Sequence, residues 1–205
     1  GGDFYDFFML NDQKLCFVVA DVSGKGVGAA LFMTVAKMVL KTAAQAHNTT
    51  VDELLSTANN LLCQENPAEL FVTAYVGIMD INSGEIAYAC AGHNPPVIVH
   101  PDGSSEFVPV KPKLPLAAME GIQYPIMYTQ LQTGETLVLY TDGVTEATNL
   151  DEELYGDARL LAALPSLKQL SAPEMIEGIK SNVDIFVGEA PQFDDITIVA
   201  IRKIS

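Results

Sequence analysis

The stretch GGDFYDFFMLNDQKLCFVVADVSGKG carries two carboxylates, Asp3 and Asp21, at equal distances from one polar turn. The runs Phe4 to Leu10 and Leu15 to Ala20 are rich in aromatic and β-branched residues, which predicts a β-hairpin. A tight turn between these runs pairs residues whose numbers add up to about 24 or 25, so Asp3 faces Asp21 with the Cβ atoms roughly 5 Å apart. Like charges in this position destabilise a hairpin unless one carboxylate keeps a proton or a cation lies between them.

Two further apolar strands of the sequence meet aspartates at one end. The run TLVLYT stops at Asp142, and the run DITIVAIRK starts at the pair Asp194 and Asp195. A buried strand that ends in Asp carries its carboxylate to the rim of a sheet, where oxygen ligands favour Mg²⁺ or Mn²⁺ over zinc. Two divalent ions would roughly neutralise four such carboxylates. The alternative is that each Asp caps a helix or a turn. The candidate metal ligands are Asp3, Asp21, Asp142 and Asp194.

Composition limits the class of protein. The 205 residues are 49% apolar and contain no Pro/Gly/Ser-rich linker, which predicts a single domain over residues 1–205. With 26 acidic against 11 basic residues, the net charge of −15 repels phosphate backbones and anionic lipids. We therefore expect contact with neither nucleic acid nor membrane, and no apolar run long enough to span one. Cys16, Cys63 and Cys90 lack metal-site spacing, which is typical of reduced, buried thiols in a cytoplasmic protein.

Periodicity predicts helices in two pairs. The turn SGKGVG leads into a first helix, and a capping box at Thr50 and Glu53 starts a second. The later pair covers Tyr155 to Leu164 and Ser171 to Val187, and Ser171 with Glu174 caps its second member. The apolar residues expected to face inward are Val27, Leu31, Val35, Met38 and Val39 in the first helix, Val51, Leu54, Leu55, Ala58, Leu61 and Leu62 in the second, and Ile176, Ile179, Val183 and Phe186 in the last.

Strand patterns fill the rest of the chain. From Leu70 the runs LFVTAYVGIMDI, IAYACA, VIVH and EFVPV predict an antiparallel meander, and PIMYTQL with TLVLYT predicts another hairpin around the turn QTGE. The final strand is DITIVAIRK. Strands at both ends, with helices inserted twice, predict an α+β fold of two packed antiparallel β-sheets flanked by helices, a four-layer αββα sandwich.

Five blocks carry a family resemblance. In order they are GGDFYD, ADVSGKGVGAALFM, AGHNPP, LYTDGVTEA and FDDITIVAI. Together they resemble the metal-dependent protein serine/threonine phosphatases of the PPM family, in its bacterial SpoIIE-type, RsbU-like branch, over essentially the whole chain. The resemblance implies a β-sandwich flanked by helices. It also implies that two Mn²⁺ or Mg²⁺ ions activate a water for hydrolysis of phosphoserine or phosphothreonine on a protein.

The resemblance also implies residue roles. Asp21 matches the aspartate that bridges both metals and the Val22 carbonyl matches its backbone ligand, while Asp142 and Asp194 match the other metal aspartates. Asp3 matches the acidic residue of the first block, and Asp195 is the weaker choice beside Asp194. Asp21 and Asp142 are thus the expected catalytic residues. No general acid is assigned, and no phosphate-binding arginine of the eukaryotic type is visible.

Three remaining features are weighed against simpler readings. SGKGVG fits neither G-x-x-x-x-G-K-[ST] nor G-x-G-x-x-G, so we interpret it as a close connection to the helix rather than a nucleotide loop. Lys25 is a candidate substrate-phosphate contact, against a solvated lysine at a helix start. His93 in AGHNPP is either a general acid or, as we favour, a structural hydrogen-bonding residue.

The resulting hypothesis is a phosphoprotein phosphatase that forms the C-terminal output domain of a longer cytoplasmic signalling protein. The resemblance implies a phosphorylated regulator as substrate, such as an anti-sigma factor antagonist, and it leaves a homodimer open. Two alternatives remain: a catalytically silent module that binds a partner through the same fold, and a hydrolase of a small phosphoester.

Overall fold

The N-terminal hairpin forms as predicted in the computed structural model, which describes residues 1–46, 49–64 and 66–205. Phe4 pairs with Ala20 in antiparallel register. The Leu10 N–H donates to the Lys14 carbonyl at 2.8 Å, and the Lys14 N–H donates to Asn11 Oδ1 at 3.0 Å. Because an Asn side chain stabilises a tight turn in this way, the short local sequence is sufficient to define the register.

The first of two compact units comprises residues 1–93 and 109–130. Its elements are β1 (Phe4–Met9), β2 (Lys14–Val22), α1 (Val27–Ala44), α2 (Val51–Gln64), β3 (Val72–Asp80), β4 (Glu85–Ala91) and β7 (Met127–Gln130). The strands form an antiparallel sheet in the order β1-β2-β3-β4-β7. Apolar residues of α1 and α2, including Leu40 and Leu55, are buried in one core with sheet residues such as Val18 and Val76.

The second unit comprises residues 94–108 and 131–205. Its elements are β5 (Val97–Val99), β6 (Ser105–Phe107), β8 (Thr136–Tyr140), α3 (Asp142–Thr145), α4 (Gly156–Ala163), a 3₁₀ helix (Leu164–Leu167), α5 (Ala172–Val187) and β9 (Ile198–Arg202). Its strands form an antiparallel sheet in the order β6-β5-β8-β9. Val138 of β8, Leu160 of α4 and Ile179 of α5 share one buried core. Two antiparallel sheets, each with helices, confirm the predicted α+β class.

The hairpin predicted around QTGE is wrong. β7 pairs with β4, for example Met127 with Tyr88, whereas β8 pairs with β5 and β9. The predicted meander is likewise divided, because β3 and β4 belong to one sheet and β5 and β6 to the other. Alternating hydrophobicity identifies a strand but does not identify its neighbour, so a glycine turn that connects two sheets resembles a hairpin turn.

The buried face of α1 also differs from the prediction. Val27 and Leu31 are 77% and 65% exposed, and Val35 and Met38 are exposed as well. The residues buried instead are Ala29, Ala36, Leu40, Ala43 and Ala44. Since apolar residues lie around most of this helix, periodicity does not select one face, and alanines form most of the face that packs on the core.

The same composition makes α1 long and apolar enough to cross a membrane, with a mean hydropathy of 1.5 over 18 residues. From the sequence we expected no apolar run of this length. A helix in the core of a protein can, however, have the same length and composition. Lys37 Nζ donates to the Tyr5 carbonyl at 3.0 Å, and Lys41 Nζ lies 3.1 Å from Asp6 Oδ2. These contacts attach α1 to β1 within the first unit.

The predictions for α2 and α5 are largely confirmed. In α2 the Thr50 N–H donates to Glu53 Oε2 at 3.1 Å, and the predicted inward residues are buried except Leu61, which is 48% exposed. In α5 both halves of the capping box between Ser171 and Glu174 are present. Ile179 is buried, so here amphipathic periodicity gives the correct face.

Candidate functional site

The first two candidate ligands lie at the open end of the N-terminal hairpin. The Val22 N–H donates to the Gly2 carbonyl at 3.3 Å, which extends the register and sets Asp3 opposite Asp21 as predicted. Both aspartates are half-buried. A Cβ atom on Gly2 would lie 2.5 Å from the Val22 carbonyl oxygen and 3.1 Å from Asp21 Oδ1. Glycine is therefore needed for the close approach of these two chain segments.

The connection after Val22 has a defined conformation. The Ser23 N–H donates to the Phe71 carbonyl at 2.9 Å, and Ser23 Oγ accepts the Phe71 N–H at 2.9 Å. Gly24 and Gly26 have φ angles of 83° and 86°, in the region that favours glycine. This supports the interpretation of SGKGVG as a close connection to α1. Lys25 is exposed between these glycines, and its contact with substrate phosphate stays a prediction.

The other two candidate ligands belong to the second unit. Thr141 joins the end of β8 to the segment before β9, because its N–H donates to the Thr197 carbonyl at 3.1 Å and its Oγ1 accepts the Thr197 N–H at 3.0 Å. A Cβ atom on Gly143 would overlap the Asp195 carbonyl oxygen. The backbone that carries Asp142 therefore touches the backbone of the Asp194-Asp195 pair, and only glycine permits this contact.

Glu146 is a carboxylate beside two candidate ligands that our sequence reasoning missed. Burial of its carboxyl group, followed by the charges of Asp142 and Asp194, raises the pKa of Glu146 above its usual value, although the residue as a whole is exposed. The three carboxylates therefore repel one another, as expected for neighbouring acidic groups. The available signal was the spacing in DGVTE, since residues four apart in a helical turn share one face.

Asp194 and Asp195 differ in their surroundings. The charge of Asp194 acts on Glu146. Asp194 Oδ1 also accepts the Asp195 N–H at 2.9 Å, and Gln192 Nε2 donates to the Asp194 carbonyl at 2.7 Å. These contacts hold the Asp194 side chain and backbone in place, and the choice of Asp194 over Asp195 as the ligand stays a prediction.

The chemistry of this donor set fits a hard divalent cation. Both units offer oxygen donors, with carboxylates and the Val22 carbonyl in the first unit and carboxylates alone in the second. Across residues 1–46, 49–64 and 66–205, no group of three or more His, Cys, Asp or Glu side chains already has the geometry of a metal site. The ligand roles of Asp3, Asp21, Val22, Asp142 and Asp194 therefore stay predictions.

His93 has the environment of a structural residue. It is 6% exposed, and its Nδ1 lies 2.9 Å from Thr73 Oγ1. The Cys90 thiol donates to the His93 carbonyl at 3.2 Å. A histidine held at both its ring and its backbone supports the structural reading over that of a general acid.

The cysteines do not form a nucleophilic site. Burial raises the pKa of the Cys16 thiol to about 12 and that of Cys90 to about 11. Cys63 is half-buried rather than buried as predicted, and partial burial with the charge of Glu120 raises its pKa. Because the thiolate is the reactive form, raised pKa values make these thiols poor nucleophiles.

Both arginines have structural partners. Arg202 donates through Nε to Thr136 Oγ1 at 2.8 Å and through Nη2 to the Lys168 carbonyl at 2.8 Å. Arg159 Nη1 donates to the Leu154 carbonyl at 2.8 Å. Each arginine thus holds backbone or hydroxyl groups of its own unit.

Comparison with known proteins gives consistent matches along the chain. The family model for stage II sporulation protein E (SpoIIE) matches residues 11–203. Protein IcfG of Synechocystis sp. (strain ATCC 27184 / PCC 6803 / Kazusa) is 31% identical, over 98% of this chain and 36% of its own length. Phosphoserine phosphatase RsbU of Bacillus subtilis (strain 168) is 26% identical, over 98% of this chain and 59% of its own length.

The solved structure of the RsbU and RsbW domains of a Mycobacterium tuberculosis protein is similar with a TM-score of 0.82. It is 29% identical, over 98% of this chain and 54% of that chain. The present chain thus spans less than two thirds of these relatives. Phosphatases of this kind are metal-dependent. The family match over residues 11–203 and the ordered blocks lead to one conclusion: the chain belongs to the SpoIIE family.

Proposed function

We propose that this domain hydrolyses phosphoserine or phosphothreonine on a regulatory protein, with two Mn²⁺ or Mg²⁺ ions as cofactors. The observation that carries the proposal is the hairpin register, which sets Asp3 opposite Asp21. Two facing carboxylates are unfavourable by themselves and favourable around a cation. The proposed ligands are Asp3, Asp21, the Val22 carbonyl, Asp142 and Asp194.

In this reaction the chain's own residues would bind the two ions and contact the substrate phosphate. When bound, the two ions would activate a water for attack on the phosphate group. Asp21 in β2 and Asp142 at the start of α3 would hold the ions, and Glu146 would add a carboxylate beside Asp142. Lys25, exposed in the turn before α1, is the proposed contact for the phosphate group of the substrate. Because their raised pKa values make the cysteine thiols poor nucleophiles, the proposed route is attack by an activated water.

The proposed substrate is a phosphorylated anti-sigma factor antagonist or a similar small regulator, in the cytoplasm. Two relatives support this class. RsbU of Bacillus subtilis is a phosphoserine phosphatase, and the Mycobacterium tuberculosis structure carries an RsbU domain together with an RsbW domain. Assaying a phosphorylated antagonist, generic phosphopeptides and nucleotides, each with and without Mn²⁺, separates the protein phosphatase from the small-phosphoester hydrolase and from a silent binding module.

Chelation and thiol alkylation should have opposite effects on activity. We expect hydrolysis of an aryl phosphate to disappear in EDTA and to return when Mn²⁺ is added, because the bound ions would supply the activated water. Alkylation with iodoacetamide should leave the rate unchanged while the fold is intact. Loss of activity on alkylation, with no effect of EDTA, would contradict the two-metal proposal.

Divalent ions should also stabilise the folded domain. Binding to the folded state alone adds about 2.7 kcal/mol to the free energy of unfolding at a hundredfold excess over Kd. The melting temperature should rise steadily over a series of increasing Mn²⁺ concentrations. An unchanged melting temperature at millimolar Mn²⁺ would count against any metal site, whatever the activity assay shows.

A further inference from the structure

The start of β3 supports the segment that carries two proposed ligands. Asp21 pairs with Thr73 and Val22 pairs with Val72 across the β2–β3 ladder. The opposite edge of this part of β3 is covered by other segments, since Val72 bridges to Leu116 and Ala74 bridges to Gly92. Gly92 and the adjacent His93 therefore lie two backbones away from Asp21, with β3 between them.

One chain of polar contacts crosses this distance. His93 Nδ1 lies 2.9 Å from Thr73 Oγ1, and Thr73 Oγ1 lies 3.5 Å from the Asp21 carbonyl oxygen. A hydroxyl group has a single proton to donate. If Thr73 donates that proton to the Asp21 carbonyl, the proton in the shorter contact must belong to His93 Nδ1. The two contacts are compatible as hydrogen bonds only when Nδ1 is protonated.

We propose that His93 is a positioning residue for the metal centre. Its Nδ1–H donates to Thr73 Oγ1, and the Thr73 hydroxyl donates to the Asp21 carbonyl, which holds the peptide plane between Asp21 and Val22. This inference rests on the proposed function, because it assumes that Asp21 and Val22 bind metal. Groups that orient metal ligands through hydrogen bonds typically change metal affinity by about 10- to 100-fold when they are altered.

Burial explains why the ring can perform this role. At 6% exposure, the imidazole has little freedom to exchange its partner for water. The bond from the Cys90 thiol to the His93 carbonyl anchors the same residue through its backbone. A buried polar side chain with both anchors is rigid, and only a rigid group can orient a ligand through an intermediate residue.

Two pairs of variants test the proposal by calorimetric titration of the metal-free protein with Mn²⁺. His93→Asn keeps an amide nitrogen near the position of Nδ1, whereas His93→Gln moves it toward the position of Nε2. Thr73→Ser keeps the hydroxyl, and Thr73→Val removes it with little change in shape. We expect His93→Gln and Thr73→Val to weaken Mn²⁺ binding by about tenfold or more, and the other two to stay within about threefold of the parent.

His100→Asn is the matched control, because this histidine belongs to the second unit and its Nδ1 bonds to Glu135 Oε1 at 2.7 Å. Its Mn²⁺ affinity should equal that of the parent. If the parent binds Mn²⁺ and all four variants bind it equally well, or all four lose affinity alike, the positioning role is wrong while the metal site stands. If the parent does not bind Mn²⁺, the proposed metal site itself fails. If His93→Gln does not fold, the Thr73 pair alone decides.

Discussion

Asp142→Asn should lower turnover by several orders of magnitude while leaving the metal-free protein at least as stable as the parent. As a ligand, Asp142 supplies negative charge to the divalent ions, and Asn supplies none. In the metal-free state the same charge acts on Glu146 and raises the pKa of that carboxyl group. Removing it relieves repulsion. Turnover is measured at saturating Mn²⁺, and melting is measured in EDTA.

The competing reading of Asp142 is that of a turn residue at the start of α3. Asn would then replace it with little effect, since Asn serves the same caps and turns. The control is Asp151→Asn, an exposed carboxylate of the same unit, which should leave turnover and melting unchanged. Parental turnover in Asp142→Asn would show that Asp142 is not a ligand.

Gly143→Ala should be the most damaging small substitution in the second unit. The added Cβ would overlap the Asp195 carbonyl oxygen, and backbone is less able to move aside than a side chain. Overpacking of this kind costs about 1–3 kcal/mol or more. The segments that carry Asp142 and Asp194 would also move apart. We expect a lower melting temperature in EDTA together with weaker Mn²⁺ binding by calorimetry.

A second glycine serves as the control for the general effect of replacing glycine with alanine. In α1, a Cβ on Gly28 would meet no atom within 4 Å, so Gly28→Ala should be neutral or stabilising by about 0.5–1 kcal/mol, as for Gly-to-Ala changes in helices. Equal melting temperatures and Mn²⁺ affinities for Gly143→Ala and the parent would mean that the contact between the two segments is not needed.

Part of the candidate site could be predicted because it depends on local sequence. The opposition of Asp3 and Asp21 needs only a tight turn and two strands, so counting residues from the turn was sufficient. The association of Asp142 with Asp194 was expected from strand ends, but the reason for it was not. The sequence alone gives Gly143 no special role, and only the structure shows that its missing side chain makes room for Asp195.

Local sequence is sufficient for the hairpin register, the helix caps of α2 and α5 and the strand ends that carry aspartates, because each depends on residues a few positions apart. The choice of neighbouring strands depends on tertiary packing, in which β7 pairs with β4 and β8 pairs with β5. Packing also selects the alanine face of α1 for burial. A helix with apolar residues around most of its circumference offers little periodic signal for this choice. Partner choice and face choice depend on packing between segments distant in sequence, which local patterns do not encode.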